Sequence, residues 1–182
     1  IIFGKYAPLP VEIEDVEDLL KLSTSKVKIS VPIDWGKLKP DTFERLMADL
    51  LASTEKWQNV DWLTDTNASD RGRDIEAERV DYDYLSGTRI KRVIVQCKHI
   101  PNGSVGISEL LKIKMQMDMH GKVDILIVAT SGKFSDQALQ WEEKYNQGNA
   151  LPTIELWNNW YLERILANRP DITECFELVT KK

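Results

Sequence analysis

The segment PDTFERLMADLLAS, residues 40–53, places Phe43, Leu46, Met47, Leu50 and Leu51 at the three- and four-residue spacing of one helical face. Asp41, near its start, is the expected cap. NVDWL then reads as a short strand, and TDTNASDRG as a polar loop rich in turn residues. RDIEAERVDYDY alternates with a period of two, LSGT makes a turn, and RIKRVIVQCKH returns as a longer strand, so a β-hairpin is predicted. In ISELLKIKMQMDM the positions Ile107, Leu110, Leu111 and Met115 share a helical face, with Lys112 alongside. VDILIVAT is the β-branched run of a strand covered on both faces. FSDQALQWEEKYN reads as helix, TIELW as a short strand and NWYLERILAN as a closing helix. Trp157, Trp160 and Tyr161 could offer rings for stacking, but beside IEL and LERIL they are expected in the core. The order α-β-β-β-α-β-α-β-α predicts an α/β fold, a mixed central sheet flanked by helices.

The first 38 residues read as an N-terminal extension or linker ahead of a domain over 39–182. Within them VEIEDVEDLLKL could form a short acidic helix, and KVKISVPI an edge strand ended by Pro32. The chain starts with Ile rather than Met, as a piece of a longer protein would. A hydrophobic fraction of 42% and a charged fraction of 29% describe a globular protein, expected in the cytoplasm. No apolar run approaches the roughly 20 residues of a membrane span. Cys97 and Cys175 form no zinc-binding spacing, and two histidines, His99 and His120, are too few for a His-based metal site. The net charge of −5 excludes a chain coated in cations for nucleic acid. Between Arg89 and Lys122, however, seven basic residues face two acidic ones.

That basic stretch surrounds an anomaly. In RVIVQCKH the run Val93, Ile94, Val95 is core-like, yet Gln96 and Lys98 follow on one strand face. Burying an amide or an ammonium without a partner is costly, so something must meet them. The hairpin can bring Asp74 close to Gln96, and Glu44 lies beside the apolar stripe of the first helix. A hard cation such as Mg²⁺ or Mn²⁺ takes oxygen ligands, which the Asp74 carboxylate, the Gln96 amide oxygen and the Cys97 backbone carbonyl could supply. Lys98 would stabilise charge on a phosphate or orient the attacking water, and Glu44 could hold a metal-bound water or a second ion.

The helix Glu44, the GRD ending in Asp74 and the QCK of Gln96, Cys97 and Lys98 together resemble the PD-(D/E)XK nuclease superfamily. More narrowly they resemble its Mrr-type restriction endonuclease domain, in which Gln often replaces the central acid. The likeness continues through VDILIVATSGKFSDQAL and IELWNNWYLERIL, covering about Lys39 to Asn168. It implies a restriction-endonuclease-like fold and hydrolysis of DNA phosphodiesters with Mg²⁺ or Mn²⁺. It also implies a role in defence, with a recognition domain elsewhere. Cleaving both strands would need two active sites, hence a homodimer. The departures are a neutral Gln96, which lowers the site's negative charge, and a loop SDRGRD carrying Arg71 and Arg73. Those arginines, with His99, Lys112 and Lys114, are candidate DNA contacts; the bland readings are ion pairs, a structural histidine and a wet helix face. Glu76, two residues beyond Asp74 on the same face, could replace or supplement Glu44. The competing function is a catalytically silent nuclease-like module that binds nucleic acid or protein.

Overall fold

The computed structural model describes residues 33–63, 73–85 and 87–178. The expected acidic helix, the strand up to Pro32 and the loop at 64–72 lie outside these residues. A one-turn 3-10 helix at Trp35–Lys37 leads into α1 (Pro40–Ala52). There follow β1 (Trp57–Trp62), β2 (Ile75–Asp83), β3 (Gly87–Lys98), β4 (Ser104–Val105) and α2 (Ile107–Met117). The chain continues with β5 (Ile125–Thr130), β6 (Lys133–Phe134), α3 (Asp136–Gln147), β7 (Thr153–Trp157), α4 (Asn159–Leu166) and α5 (Pro170–Cys175).

Five strands form one sheet in the order β1-β2-β3-β5-β7, antiparallel through β3 and parallel from β3 to β7. This is the mixed sheet flanked by helices that the sequence pattern predicts. Alternate residues of β3 divide between two cores. Val93, Val95 and Cys97 pack with Phe43, Leu46 and Met47 of α1 and with Leu162 of α4, whereas Ile94 packs with Leu110 and Ile113 of α2 and Ala138 of α3. All six residues of β5 are buried, as expected of a strand covered on both faces.

Three expectations are corrected. Asp41 does not cap α1: the N-cap is Lys39, without a side-chain cap, because Pro40 starts the helix one residue earlier. Asp41 instead accepts the Thr42 N–H within the first turn, at 2.8 Å. On α2 the buried face is Leu110, Ile113 and Met117, while Leu111 and Met115 are 41% and 70% exposed. That helix is apolar at so many positions that its periodicity allows more than one face, and packing on Ile94 and Leu126 selects one. Trp157 is buried, but Trp160 is 80% exposed. On α4 the core is reached by Leu162 and Leu166, and Trp160 points away from that stripe.

Because β2 runs against β3, the start of β2 and the carboxyl ends of β3, β5 and β7 share one edge of the sheet. The two-stranded sheet of β4 and β6 belongs to loops leaving that edge. A Cβ on Gly132 would fall 2.3 Å from the Ile100 carbonyl oxygen and 2.5 Å from that of Gly103. Only glycine lets the two loops pack backbone to backbone.

Candidate active site

The hairpin register sets Ile75 opposite Val95, and the Asp74 N–H donates to the Val95 carbonyl at 3.2 Å. Asp74 therefore meets Gln96 at the point where β2 begins. Its Oδ2 accepts from Gln96 Nε2 at 2.6 Å and from the Cys97 N–H. The reverse amide orientation would set an oxygen against the carboxylate, so the hydrogen bond fixes which end of Gln96 faces Asp74. Gln96 is only 6% exposed, and its Oε1 is buried without a hydrogen-bond partner among the described residues. Such an orphaned acceptor costs about 1–3 kcal/mol, so the fold bears a penalty at this atom. Since the N–H and C=O of a strand residue point to the same side, the Cys97 carbonyl turns with its N–H towards Asp74.

Lys98, on the same face as Gln96, reaches the first turn of α2, where its Nζ lies 2.9 Å from Glu109 Oε1. The hydrogen bond from Lys98 holds the Glu109 carboxyl below its ordinary range. Glu109 was not singled out by the sequence reading; the available signal was a Glu three residues after Gly106, which has no side chain to cap the helix.

Glu44 approaches from the opposite face of the sheet. It is half-buried on α1, and Trp62 Nε1 donates to its Oε2 at 3.5 Å. Burial pushes the Cys97 thiol well up, and the carboxylates of Asp74 and Glu44 push it the same way. Cys97 thus lies within the field of both acids and serves as a small core residue. Cys97 and Cys175 are both free thiols.

Glu76 is committed elsewhere. It accepts from Arg73 at 3.0 Å and from Arg92 at 2.7 Å, and the Arg92 hydrogen bond holds its carboxyl low. Arg73 therefore meets an acid, and Arg71 lies outside the described residues. His99 Nε2 bonds to the Leu38 carbonyl at 2.9 Å, and the ring lies against Phe43 with centroids 5.4 Å apart. A carbonyl only accepts, so Nε2 carries the proton. Lys114 pairs with Asp118 at 2.6 Å, while Lys112 is exposed on α2. The structure thus joins Asp74, Gln96, Cys97 and Lys98 at one strand end, brings Glu44 near them from below, and sets Lys112 and Lys114 on a separate helix. Among the described residues no three His, Cys, Asp or Glu side chains cluster as a metal site.

A family model described as the restriction endonuclease domain Mrr_cat matches residues 36–166, well over half of the chain. The protein belongs to this restriction endonuclease family. The fold is similar to that of two solved structures. One is the MspJI restriction endonuclease in complex with a 27-mer oligonucleotide, at 17% identity and a TM-score of 0.55, covering 100% of this chain and 40% of that one. The other is the DNA modification-dependent restriction endonuclease AspBHI, at 13% identity and a TM-score of 0.50, covering 97% of this chain and 42% of that one. This Mrr-type chain therefore spans about two fifths of either protein. No curated protein matches it significantly. Among the described residues no helix is long and apolar enough to cross a membrane.

Proposed function

We propose that this Mrr-type domain hydrolyses phosphodiester bonds in DNA with the help of Mg²⁺ or Mn²⁺. The observation that carries the reading is the buried, partnerless Oε1 of Gln96 beside the Asp74 carboxylate. A cation held by the Asp74 carboxylate, Gln96 Oε1 and the Cys97 carbonyl would supply Lewis acidity at the phosphate and a more acidic bound water. With one neutral ligand the set carries little negative charge, as suits an ion that also leans on substrate phosphate.

The chain's own groups divide the remaining work. In hydrolysis a water oxygen bonds to phosphorus, one ester P–O bond breaks, and the water's proton ends on the departing oxygen. Lys98 has three donors, of which Glu109 occupies one, so the others can meet a phosphate oxygen and the attacking water. Fixing Lys98 at one donor limits the rotamer freedom that the reaction would otherwise have to freeze. Glu44 adds an acid on the other side of Cys97, placed to accept from a water. Arg71, Arg73, His99, Lys112 and Lys114 are proposed as backbone contacts; for Arg73 and Lys114 the phosphate must compete with an existing ion pair, and for His99 with the Leu38 carbonyl. The domain over 39–182 would then be the cytoplasmic nuclease part of a restriction or defence protein, paired as a homodimer for double-strand cleavage.

The test incubates supercoiled plasmid with wild type and Lys98→Ala in Mg²⁺, Mn²⁺ or EDTA. Metal-dependent nicking that the variant loses is the expected result. Equal activity in both proteins would move the centre away from β3. No cleavage by either would favour the silent module.

A further inference from the structure

The edge that carries Lys98 continues across the sheet through hydrogen bonds. Thr130 Oγ1 donates to the Lys98 carbonyl at 2.7 Å, and the Gly132 N–H donates to the same hydroxyl at 3.1 Å. The Asn159 N–H donates to the Gly132 carbonyl at 3.0 Å, and the Lys133 N–H to the Gly103 carbonyl at 3.1 Å. The rim is therefore one hydrogen-bonded unit running from β3 over β5 to the start of α4. Two strand spacings separate its ends, roughly 10 Å.

At the far end of this rim stands Trp160, 80% exposed. The turn around it needs nothing from the indole. Asn158 Oδ1 accepts the Tyr161 N–H and Asn159 Oδ1 accepts the Trp160 N–H, both at 2.9 Å, and Leu162 and Leu166 fill the core. Lys133, which follows Gly132 in this chain of bonds, is exposed on β6 and forms no ion pair among the described residues. A cation and an exposed aromatic residue thus belong to the same hydrogen-bonded edge as the candidate catalytic group.

We infer that Trp160 is a stacking platform for an unpaired base of the DNA strand whose backbone passes Lys98, with Lys133 holding a phosphate of that strand. The inference rests on the proposed nuclease reading and names its substrate class more narrowly: DNA with a single-stranded position near the cleaved bond. In intact duplex every base face is already covered by its neighbours, so an indole at the rim gains little. Where a base is unpaired, its open face and the exposed ring cover one another, whatever the sequence. Lys133 supplies the salt-dependent hold on the backbone that such stacking needs beside it.

The test measures binding of the protein, in EDTA to prevent cleavage, by fluorescence anisotropy. The probes are a labelled duplex and the same duplex carrying a short single-stranded gap. Wild type should prefer the gapped DNA. Trp160→Ala should weaken that binding by roughly five- to a hundredfold, the range for one stacked base, and intact duplex much less. Trp160→Phe should keep most of the preference. Lys133→Ala should weaken both DNAs alike and flatten the salt dependence. Tyr84→Ala, an equally exposed ring on the β2–β3 turn, is the matched control. Three results overturn the inference: Trp160→Ala binding gapped DNA as wild type does, equal losses on both DNAs, or a wild type without preference. Loss of plasmid cleavage in Lys98→Ala together with unchanged gapped-DNA binding in Trp160→Ala would leave the nuclease reading standing and this one fallen.

Discussion

At one end of the β2–β3 hairpin an amide is buried with one oxygen unpaired; at the other, Tyr82, Tyr84 and Leu85 are 75%, 89% and 93% exposed. Both ends depart from the usual sorting of polar and apolar groups, yet they differ in what they imply. An exposed ring at a hairpin tip forgoes some burial and needs no explanation. A buried acceptor without a donor lowers stability outright, and a fold keeps it where something else meets that atom. Glu76, the second residue of β2 and so at the same end as the amide, shows the satisfied alternative, a carboxylate held by two arginines. The polar end is therefore where function is sought.

The largest expected contrast is in cleavage. Asp74→Ala should lower the rate by about a hundredfold or more, since both a cation ligand and the anchor of Gln96 are lost. Tyr84→Ala should leave it unchanged; equal effects in a plasmid assay would erase the distinction between the two ends.

A sharper test adds charge where the amide now sits. Gln96→Glu sets a second carboxylate against Asp74, so in EDTA near neutral pH the melting temperature should fall, by about 1–3 kcal/mol of stability. Added Mg²⁺ or Mn²⁺ should recover much of that loss. A variant whose melting ignores both ions would argue that no cation is held there.

The smallest effect concerns Glu76, whose carboxyl is held low by the Arg92 hydrogen bond and by the charges of Arg92 and Arg73. An acid with a depressed folded value contributes stability above its unfolded value and loses it as pH falls through the folded one. Wild type should therefore melt at higher temperature than Glu76→Gln near neutrality, and the gap should close on acidification below about pH 4.5. A constant gap across that range would mean the difference comes from packing.

Much of the fold was legible because its signals are local. The alternation of β2, the apolar run of β5 and the stripe of α1 each specify an element and its buried face without reference to the rest. The α2 face was not legible, because Leu111 and Met115 are as apolar as Ile113 and Met117, and only the sheet beneath decides between them. Asp41 failed as a cap because Pro40 moved the helix start. Trp160 failed as core because a short helix can bury one stripe only, and Leu162 and Leu166 occupy it.

By itself, then, the chain determined which residue types stand at the strand end: period-two alternation puts Gln96 and Lys98 on one face whatever surrounds them. Only the tertiary structure decided their partners. The hairpin register delivers Asp74 to Gln96, the packing of α2 brings Glu109 to Lys98, and burial leaves Gln96 Oε1 without a donor among the described residues. Such facts depend on distances between residues far apart in sequence, which no local pattern encodes.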